Sequence, residues 1–336
     1  MNTSPNTAPK SAPKTALVIG ATGSIGGEVA AALLARGWRV RGLNRDPLRA
    51  AREAVGLERI EWVKGDAMVP AEVVAAAQGV QVIFHGANPP GYHNWAKLVP
   101  AMLESVIAAA QATGARIALP GSVYNYGPDA WPDLTETSPQ NPRTRKGAIR
   151  KGLEDRLTAL ADQGVRSLVV RAGDFFGPET DSSWLTEGWV KKGKLLRAVT
   201  LPGPAEVAHA WAYLPDFAES FVRLIEREAE LPAFALFHHR GHALTGAEMA
   251  QVLERVAGRK LSRHGMPWLA LAAASPFVEM LREMLEMRYL WDNDILLDNA
   301  KLTAFLGEEP HTPLDQALRT ALTGQGCLEP ARSAAA

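Results

Sequence analysis

Short apolar runs alternate with amphipathic segments along the first half of the chain. The apolar runs predict buried parallel strands at 15–19, 39–43, 60–64, 80–84, 116–119 and 165–171. The amphipathic segments predict helices at 28–36, 48–55, 70–78, 101–113 and 149–163. Glycines at 37, 114 and 164 follow three of these helices and are typical of helix ends. Repeated β-α-β units of this size predict an α/β fold with a doubly wound parallel sheet.

The second half of the chain has a weaker pattern. It predicts amphipathic helices at 216–228 and 246–258 and two tryptophan-rich segments, 178–205 and 260–295. We interpret these segments as a smaller, mostly helical C-terminal lobe that covers the carboxyl edge of the sheet and binds substrate. Most of the tryptophans are expected simply to fill the core of this lobe.

This pattern divides the chain into four parts. The predicted parts are a disordered leader (1–14), a dinucleotide-binding Rossmann domain (15–177), a substrate-binding lobe (178–310, with 206–230 returning to the first domain) and a C-terminal helix with a loose tail (311–336).

Composition excludes several classes of function. The chain has 336 residues, 36 Lys and Arg against 36 Asp and Glu, and 47% hydrophobic residues, so neither disorder nor nucleic-acid binding is favoured. One cysteine, Cys327, excludes an intramolecular disulfide framework, and the sequence offers no pattern of metal ligands. Without a secretory h-region or an apolar run of about 18 residues, we expect a cytoplasmic protein that does not span a membrane.

A glycine-rich turn follows the first predicted strand and opens the first predicted helix. Its glycines allow a tight turn and a close approach of the backbone to a pyrophosphate, whose charge the helix N-terminus stabilises. The residues predicted to bind this group are Gly20, Thr22, Gly23, Ser24, Ile25 and Gly26.

The end of the second predicted strand bears on the choice of dinucleotide. An acidic residue there typically binds the ribose diol of NAD, whereas this strand ends in Asn44 and Arg45, which can bind a 2′-phosphate. We therefore predict NADP rather than NAD. Asp46 is the alternative ribose ligand if the register is shifted, and Arg45 is alternatively a surface partner of Asp46.

Six blocks in this order resemble the extended short-chain dehydrogenase/reductases, the group of nucleotide-sugar epimerases and related reductases. Besides the glycine-rich turn, they are Gly65-Asp66-Ala67, the 82–87 segment, the 122–128 segment, the 171–178 segment and the 213–218 segment. The resemblance implies that Asp66 and Ala67 lie at the adenine and that Gly86 and Ala87 lie beside the cofactor. It also implies a homodimer.

The catalytic unit of that family is a Ser with a Tyr and a Lys in the spacing YxxxK. Ser122 and Lys151 match the Ser and the Lys, and Lys151 is expected to bind the nicotinamide ribose. The Tyr is missing, because Gly147 precedes Lys151 by four residues. If the register is shifted by one, Lys146 takes the Tyr position and Arg150 the Lys position.

Three interpretations of the missing tyrosine remain open. Another acid replaces it, namely Lys146, Tyr124 or Tyr126, as some atypical reductases are thought to use a lysine. Alternatively, a water oriented by Ser122 transfers the proton. In the third interpretation the site is not catalytic, and the protein binds NADP as a sensor of the NmrA kind.

The substrate pocket is predicted to be apolar and aromatic. Its residues are predicted to be Asn88, Tyr92, Trp95, Asp174, Phe176 and Trp184, and Phe175 and Trp189 are expected to add to the aromatic lining. Such a pocket favours NADPH-dependent reduction of a small apolar carbonyl or enone over chemistry on a nucleotide sugar, which requires several arginines. The alternatives are the NADP sensor and a nucleotide-sugar epimerase or dehydratase.

Overall fold

The computed structural model describes residues 13–89, 91, 93–180 and 183–329. In chain order the strands are β1 (Thr15–Ile19), β2 (Arg39–Asn44), β3 (Glu61–Lys64), β4 (Val82–His85), β5 (Arg116–Ser122), β6 (Asp133–Leu134), β7 (Ser167–Ala172), β8 (Asp174–Phe176), β9 (Ala198–Leu201), β10 (Ala208–Tyr213), β11 (Phe234–His238), β12 (His242–Thr245), β13 (Ser262–Gly265) and β14 (Leu296–Leu297). The helices are α1 (Ser24–Ala35), α2 (Pro47–Glu53), α3 (Pro70–Ala76), α4 (Trp95–Thr113), α5 (Arg145–Ala161), α6 (Leu214–Glu226), α7 (Gly246–Ala257), α8 (Trp268–Ala274), α9 (Glu279–Glu286), α10 (Tyr289–Asp292), α11 (Ala300–Leu306) and α12 (Leu314–Gly324).

Seven strands form the main sheet in the order β11-β7-β5-β4-β1-β2-β3, and every neighbouring pair is parallel. All five residues of β1 are buried, because helices cover both faces of the sheet. The predicted doubly wound α/β sheet is confirmed, and each of the six predicted strands overlaps an observed strand of this sheet.

Helices form one layer on each face of the main sheet. On one face, α1 and α6 pack together over Val18 and Phe84, and on the other α3, α4 and α5 cover Leu17 and Ile83. Helix α4 begins six residues before the predicted start at 101, with Pro100 in its second turn. It ends at Gly114, whose φ of 74° is a left-handed conformation that glycine adopts without strain.

The lobe has its own core above the carboxyl edge of the main sheet. Trp184, Trp189, Trp211 and Trp291 are buried in it and Trp268 packs against it, as the sequence predicted for most of the tryptophans. Its strands form a three-stranded sheet, β12-β10-β8, and two short pairs, β13-β9 and β14-β6.

The chain crosses between the main sheet and the lobe more often than the sequence pattern suggested. The sequence predicted that the segment 206–230 returns to the first domain. Helix α6 of this segment packs on the main sheet, whereas β10 belongs to the sheet of the lobe. Strand β11 is also part of the main sheet, and helix α11 packs against it, although both fall within the range 178–310 that was predicted as lobe.

The C-terminal segment differs from the predicted loose tail. Helix α12 packs into the lobe core through Leu318 and Leu322. Beyond it, Gln325 donates hydrogen bonds to the carbonyls of Pro178 and Thr180 at 2.8 and 2.9 Å, and Cys327 is buried. These contacts fix the chain after Gly324. The predicted leader up to residue 12 and the tail from 330 lie outside the described residues.

In the described part of the chain, helices long and apolar enough to cross a bilayer are absent.

Candidate functional site

A cleft of about 780 Å³ lies at the carboxyl edge of the main sheet and continues under the lobe. Most of the residues predicted to form the site line it. They are Gly20, Thr22, Gly23, Ser24, Ile25, Asn44, Arg45, Asp66, Ala67, Gly86, Ala87, Asn88, Trp95, Ser122, Tyr124, Asp174 and Trp184.

At two positions of the glycine-rich turn, the surrounding backbone leaves no room for a side chain. A Cβ on Gly20, whose φ is +88°, would lie 2.7 Å from the backbone nitrogen of Ala87. A Cβ on Gly26 would lie 2.1 Å from the carbonyl oxygen of Gly20. Gly26 therefore does not line the cleft; it lets α1 approach the turn between β1 and α1. This close approach is the reason for glycine at both positions.

The N-terminus of α1 fits a pyrophosphate. The helix begins after Gly23 without a capping side-chain hydrogen bond and without an acidic residue in its first turn. The first N–H groups of any helix lack acceptors within the helix, and its dipole favours an anion there. Because this turn also lines the cleft, it can hold the bridging phosphates of a dinucleotide.

The end of β2 presents Arg45, and not Asp46, to the cleft. The side chain of Asp46 accepts a hydrogen bond from the backbone N–H of Arg49 at 3.0 Å and caps α2. Asn44 accepts one from the N–H of Asp46 at 2.8 Å. The alternative in which Asp46 binds the ribose is therefore disfavoured by its role as a helix cap.

Ser122 and Tyr124 lie together at the end of β5. Ser122 ends the strand, and its hydroxyl accepts a hydrogen bond from the backbone N–H of Tyr124 at 3.3 Å. Both residues line the cleft. Tyr126 does not line it: its hydroxyl is buried, 2.7 Å from Nε2 of His238, and Arg171 donates a hydrogen bond to it. Of the two loop tyrosines, only Tyr124 is placed to meet a substrate.

Helix α5 presents Arg150 to the cleft in place of the predicted Lys151. Lys151 lies on the outer face of α5, where its ammonium is 2.6 Å from Asp155. Arg150 lines the cleft, and its guanidinium lies 5.0 Å from the ring centroid of Trp95. The inner face of α5 is set by Leu153 and Leu157, and helical spacing puts 150 and 146 on that face, but not 151. The prediction that Lys151 faces the cleft is therefore wrong, and Arg150 faces it instead.

Lys146 is on the inner face of α5 but is not among the residues that line the cleft. Its buried ammonium pairs with Glu283 and lies 2.8 Å from Oε2 of Glu286, both on α9. Burial by itself raises the pKa of Glu286, but the hydrogen bond and charge of Lys146 outweigh burial and lower it. Lys146 is therefore engaged in an ion-pair cluster between α5 and the lobe.

His85, at the end of β4, is buried beside the cleft. Burial, and secondly the charge of Arg150, lower its pKa to about 4, so the ring is neutral at neutral pH. Its Nδ1 has no hydrogen-bond partner among the described residues.

Aromatic and methionine side chains line the lobe end of the cleft together with the carboxylates of Asp174, Glu187 and Glu283, and the set differs in part from the predicted one. Phe176 is fully buried in the lobe core, with its ring 5.3 Å from that of Tyr213, because its side chain points to the opposite face of β8 from that of Phe175. Phe175, which the sequence also placed in the aromatic lining, is among the cleft residues, whereas Trp189 is buried in the lobe core. Tyr92 lies outside the described residues.

Helix α9 and its C-terminal end supply cleft residues that the sequence analysis missed. Met280, Met284 and Met287 line the cleft with Glu283. Their spacing of four and three residues is the signal of one helical face, although that pattern does not tell which partner the face packs against. Clusters of three or more metal-ligating side chains are absent from the described residues.

Comparisons with known proteins show the family of this chain. Residues 16–235 match the sequence pattern of the NAD dependent epimerase/dehydratase family. The chain is 27% identical over 222 residues to a 3-diazoavenalumate denitrifying reductase of Streptomyces, covering 63% of this chain and 72% of that protein. It is 37% identical over 133 residues to cinnamoyl-CoA reductase 1 of Oryza sativa subsp. japonica, covering 35% of this chain and 39% of that protein.

Solved structures with the same fold include UDP-glucose 4-epimerase from Bifidobacterium longum in complex with NAD+ and UDP. The TM-score is 0.70 at 16% identity, and the alignment covers 93% of this chain and 98% of that one. The glycine-rich turn, the seven-stranded sheet and the family match are consistent with one another. The chain belongs to the NAD dependent epimerase/dehydratase family of extended short-chain dehydrogenase/reductases.

Proposed function

We propose that this protein is an NADP-dependent oxidoreductase that reduces the carbonyl or enone group of a small, apolar substrate. The observation that carries the proposal is the continuity of the cleft, which runs from the glycine-rich turn past Ser122 to an apolar end lined by Phe175, Trp184 and Met284. A dinucleotide at the turn would then share one cavity with an apolar substrate. Two relatives of this chain are reductases by name.

The charges along the cleft argue against a nucleotide sugar. Among the described residues that line it, the cations are Arg45, at the end of β2, and Arg150, on α5. At the lobe end the charged residues are Asp174, Glu187 and Glu283. A substrate diphosphate at that end would lack the arginine and lysine side chains that typically bind such groups. We therefore disfavour an epimerase or dehydratase acting on a nucleotide sugar.

The cofactor is proposed to be NADP rather than NAD. Arg45 lines the cleft where a 2′-phosphate would lie, and Asp46 is used as the cap of α2. A guanidinium attracts a phosphate that a carboxylate would repel. Asp66 and Ala67 line the adenine end of the same cleft.

The residues of this chain then have separate tasks. The bound cofactor supplies the hydride. Ser122 donates a hydrogen bond to the substrate oxygen and polarises the carbonyl, while Arg150 takes the place of the family's lysine at the ribose hydroxyls. The methionines and aromatic residues at the lobe end exclude water from the reacting carbon.

Purified protein with NADPH and a panel of aromatic aldehydes, ketones and quinones tests this function. We expect loss of NADPH absorbance with at least one compound. Ser122→Ala should lower kcat about 100-fold without changing the Kd for NADPH. The matched control is Ser262→Ala, at an exposed serine of β13, which should not change kcat. Equal kcat values for Ser122→Ala and the wild type would refute the role of Ser122.

A second candidate, a non-catalytic NADP sensor, is favoured by one observation: α5 has no tyrosine, and neither Lys146 nor Lys151 is among the residues that line the cleft. Tight binding of NADPH with no turnover across the whole panel would support the sensor.

A further inference from the structure

Helix α9 lies along the lobe end of the cleft but contributes little to the hydrophobic core. Of its eight residues only Glu283 is buried, and the preceding helix α8 buries none. Met280 and Met284 of α9 line the cleft, and Met287, directly after the helix, is buried in the lobe core. Elements with few buried apolar contacts open at a lower free energy than the core does. Contacts of another kind are therefore needed to hold α9 in this position.

Lys146 supplies such contacts from α5, on the other side of the cleft. Its side chain is only 2% exposed, and its ammonium pairs with the carboxylate of Glu283. The same nitrogen lies 2.8 Å from Oε2 of Glu286 and 3.2 Å from the carbonyl oxygen of Glu283. An ammonium has three N–H donors, and these three acceptors all belong to α9. A buried cation of α5 is thus directed at a single helix of the lobe.

Glu286 makes the same connection in the opposite direction. Its Oε1 accepts hydrogen bonds from the backbone N–H groups of Arg145 at 2.5 Å and of Lys146 at 3.3 Å. These are the first two residues of α5, and the side chain of Thr144 caps only the N–H of Gly147. A helix N-terminus leaves such N–H groups without acceptors and favours an anion beside them. The N-terminus of α5 and the helix α9 are therefore joined by both backbone and side-chain contacts.

The remaining polar contacts of α9 are more exposed. Oε2 of Glu279 lies 3.2 Å from Nδ1 of His93, and these side chains are 45% and 74% exposed. Arg145 lies 3.2 Å from Glu283, but its side chain is 79% exposed. Exposed ion pairs contribute little to stability, whereas breaking a buried pair is costly. Lys146 is therefore the contact that matters most for the position of α9.

We propose that Lys146 is a positioning residue, which holds α9 against α5 and thereby sets the methionine face of α9 over the substrate. This inference rests on the proposed reductase function. The lysine at the shifted-register position of the family's tyrosine then acts through α9 and donates no proton. When its contacts are lost, α9 opens more often, and the substrate loses the apolar contacts of Met280 and Met284. The cofactor still binds, because its phosphates are held at the glycine-rich turn.

Hydrogen exchange followed by mass spectrometry tests the contact between α5 and α9 without any substrate. The amide of Glu286→Gln turns a donor towards the donors of α5 in either orientation. We expect the backbone amides of α9 to exchange at least about 10-fold faster in this variant than in the wild type, and those of α4 to change less. The matched control is Lys151→Met, which breaks an exposed pair on α5 and should leave the exchange of α9 unchanged. Unchanged exchange in α9, or equal acceleration of α4 and α9, would overturn the proposal.

Kinetics with a compound from the panel that the wild type reduces test the effect on the substrate. Lys146→Met should raise KM about 10-fold, with kcat and the Kd for NADPH unchanged, since the loss is one of substrate binding. Lys146→Arg keeps the cation and should restore most of the wild-type KM. Glu286→Gln should also raise KM, and combining it with Lys146→Met should raise KM no further, because both remove the same contact.

The alternative role of Lys146 as the proton donor gives a different result. A loss of kcat at unchanged KM in Lys146→Met that Lys146→Arg does not restore would overturn the proposal, because arginine keeps its proton. If Lys146→Met does not fold, an unchanged KM in Glu286→Gln refutes the proposal by itself. A wild type that binds NADPH but reduces nothing refutes the proposed function instead, and hydrogen exchange then decides whether Lys146 holds α9.

Discussion

We expect mild acid to unfold this protein, because buried histidines are held neutral in the folded state and bind protons when the chain unfolds. Burial, followed by the charge of Arg171, lowers the pKa of His238 to about 3, and its Nε2 lies 2.7 Å from the Tyr126 hydroxyl. Burial is also the largest cause for His85 and His242, whose pKa values fall to about 4. All three lie below the ordinary value of 6.5, so the unfolded chain binds more protons than the folded one as the pH falls below that value.

The sign and size of the effect follow from this difference. The stabilisation from the neutral rings is fully present above about pH 6.5 and is lost as the pH falls towards about 4. At about pH 5 each histidine lowers the free energy of unfolding by about 2 kcal/mol, and the three together by about 6 kcal/mol. This loss is comparable with the whole stability of a typical protein.

Urea unfolding followed by tryptophan fluorescence, between about pH 7.5 and about pH 5, measures this loss. Between about pH 6.5 and about pH 5, the unfolding free energy of His242→Phe should depend on pH less steeply than that of the wild type, by about 1.4 kcal/mol per pH unit. The matched control is His264→Phe, on the exposed strand β13, where the slope should stay that of the wild type. An unfolding free energy that does not change across this range would refute the reasoning.

Three further predictions concern the cofactor site and α5. Arg45→Ala should raise the Kd for NADPH about 10- to 100-fold, measured by calorimetry, and leave the Kd for NADH unchanged; a persistent preference for NADPH would contradict the role of Arg45. Gly26→Ala should abolish dinucleotide binding, because its Cβ would lie 2.1 Å from a backbone oxygen, whereas Gly27→Ala, with 3.4 Å to its nearest neighbour, should bind normally. In urea unfolding, Lys146→Met should destabilise the fold by about 3 kcal/mol, because it removes the buried cation between Glu283 and Glu286. Lys151→Met breaks only an exposed ion pair and should cost less than about 1 kcal/mol. Similar losses in these two lysine variants would contradict the difference in burial.

Local sequence was enough to predict the framework of the cofactor site. The apolar run of β1, the glycines of the following turn and the start of α1 are adjacent in the chain, and their geometry follows from backbone sterics and helix end effects. The parallel order of the main sheet follows in the same way from the alternation of strands and helices. These features depend on neighbours within about 30 residues, the length of one β-α-β unit.

The rotational position of α5, which decides which of its side chains face the cleft, was predictable in principle but was assigned wrongly. Lys151 matches a family position in the sequence, although Asp155 four residues later marks an exposed face. Leu153 and Leu157 place Arg150 inwards instead. The same one-residue difference separates Phe175, in the cleft, from Phe176, in the core of the lobe.

What the sequence by itself determined is therefore the sheet, the glycine-rich turn and the family of the chain. The tertiary structure decided which side chains meet across long separations. Lys146 and Glu283 are 137 residues apart, and Asp174 and His209 are 35 residues apart. No periodicity encodes such pairs, because they form only when the lobe packs over the carboxyl edge of the sheet and burial makes each charge depend on its partner.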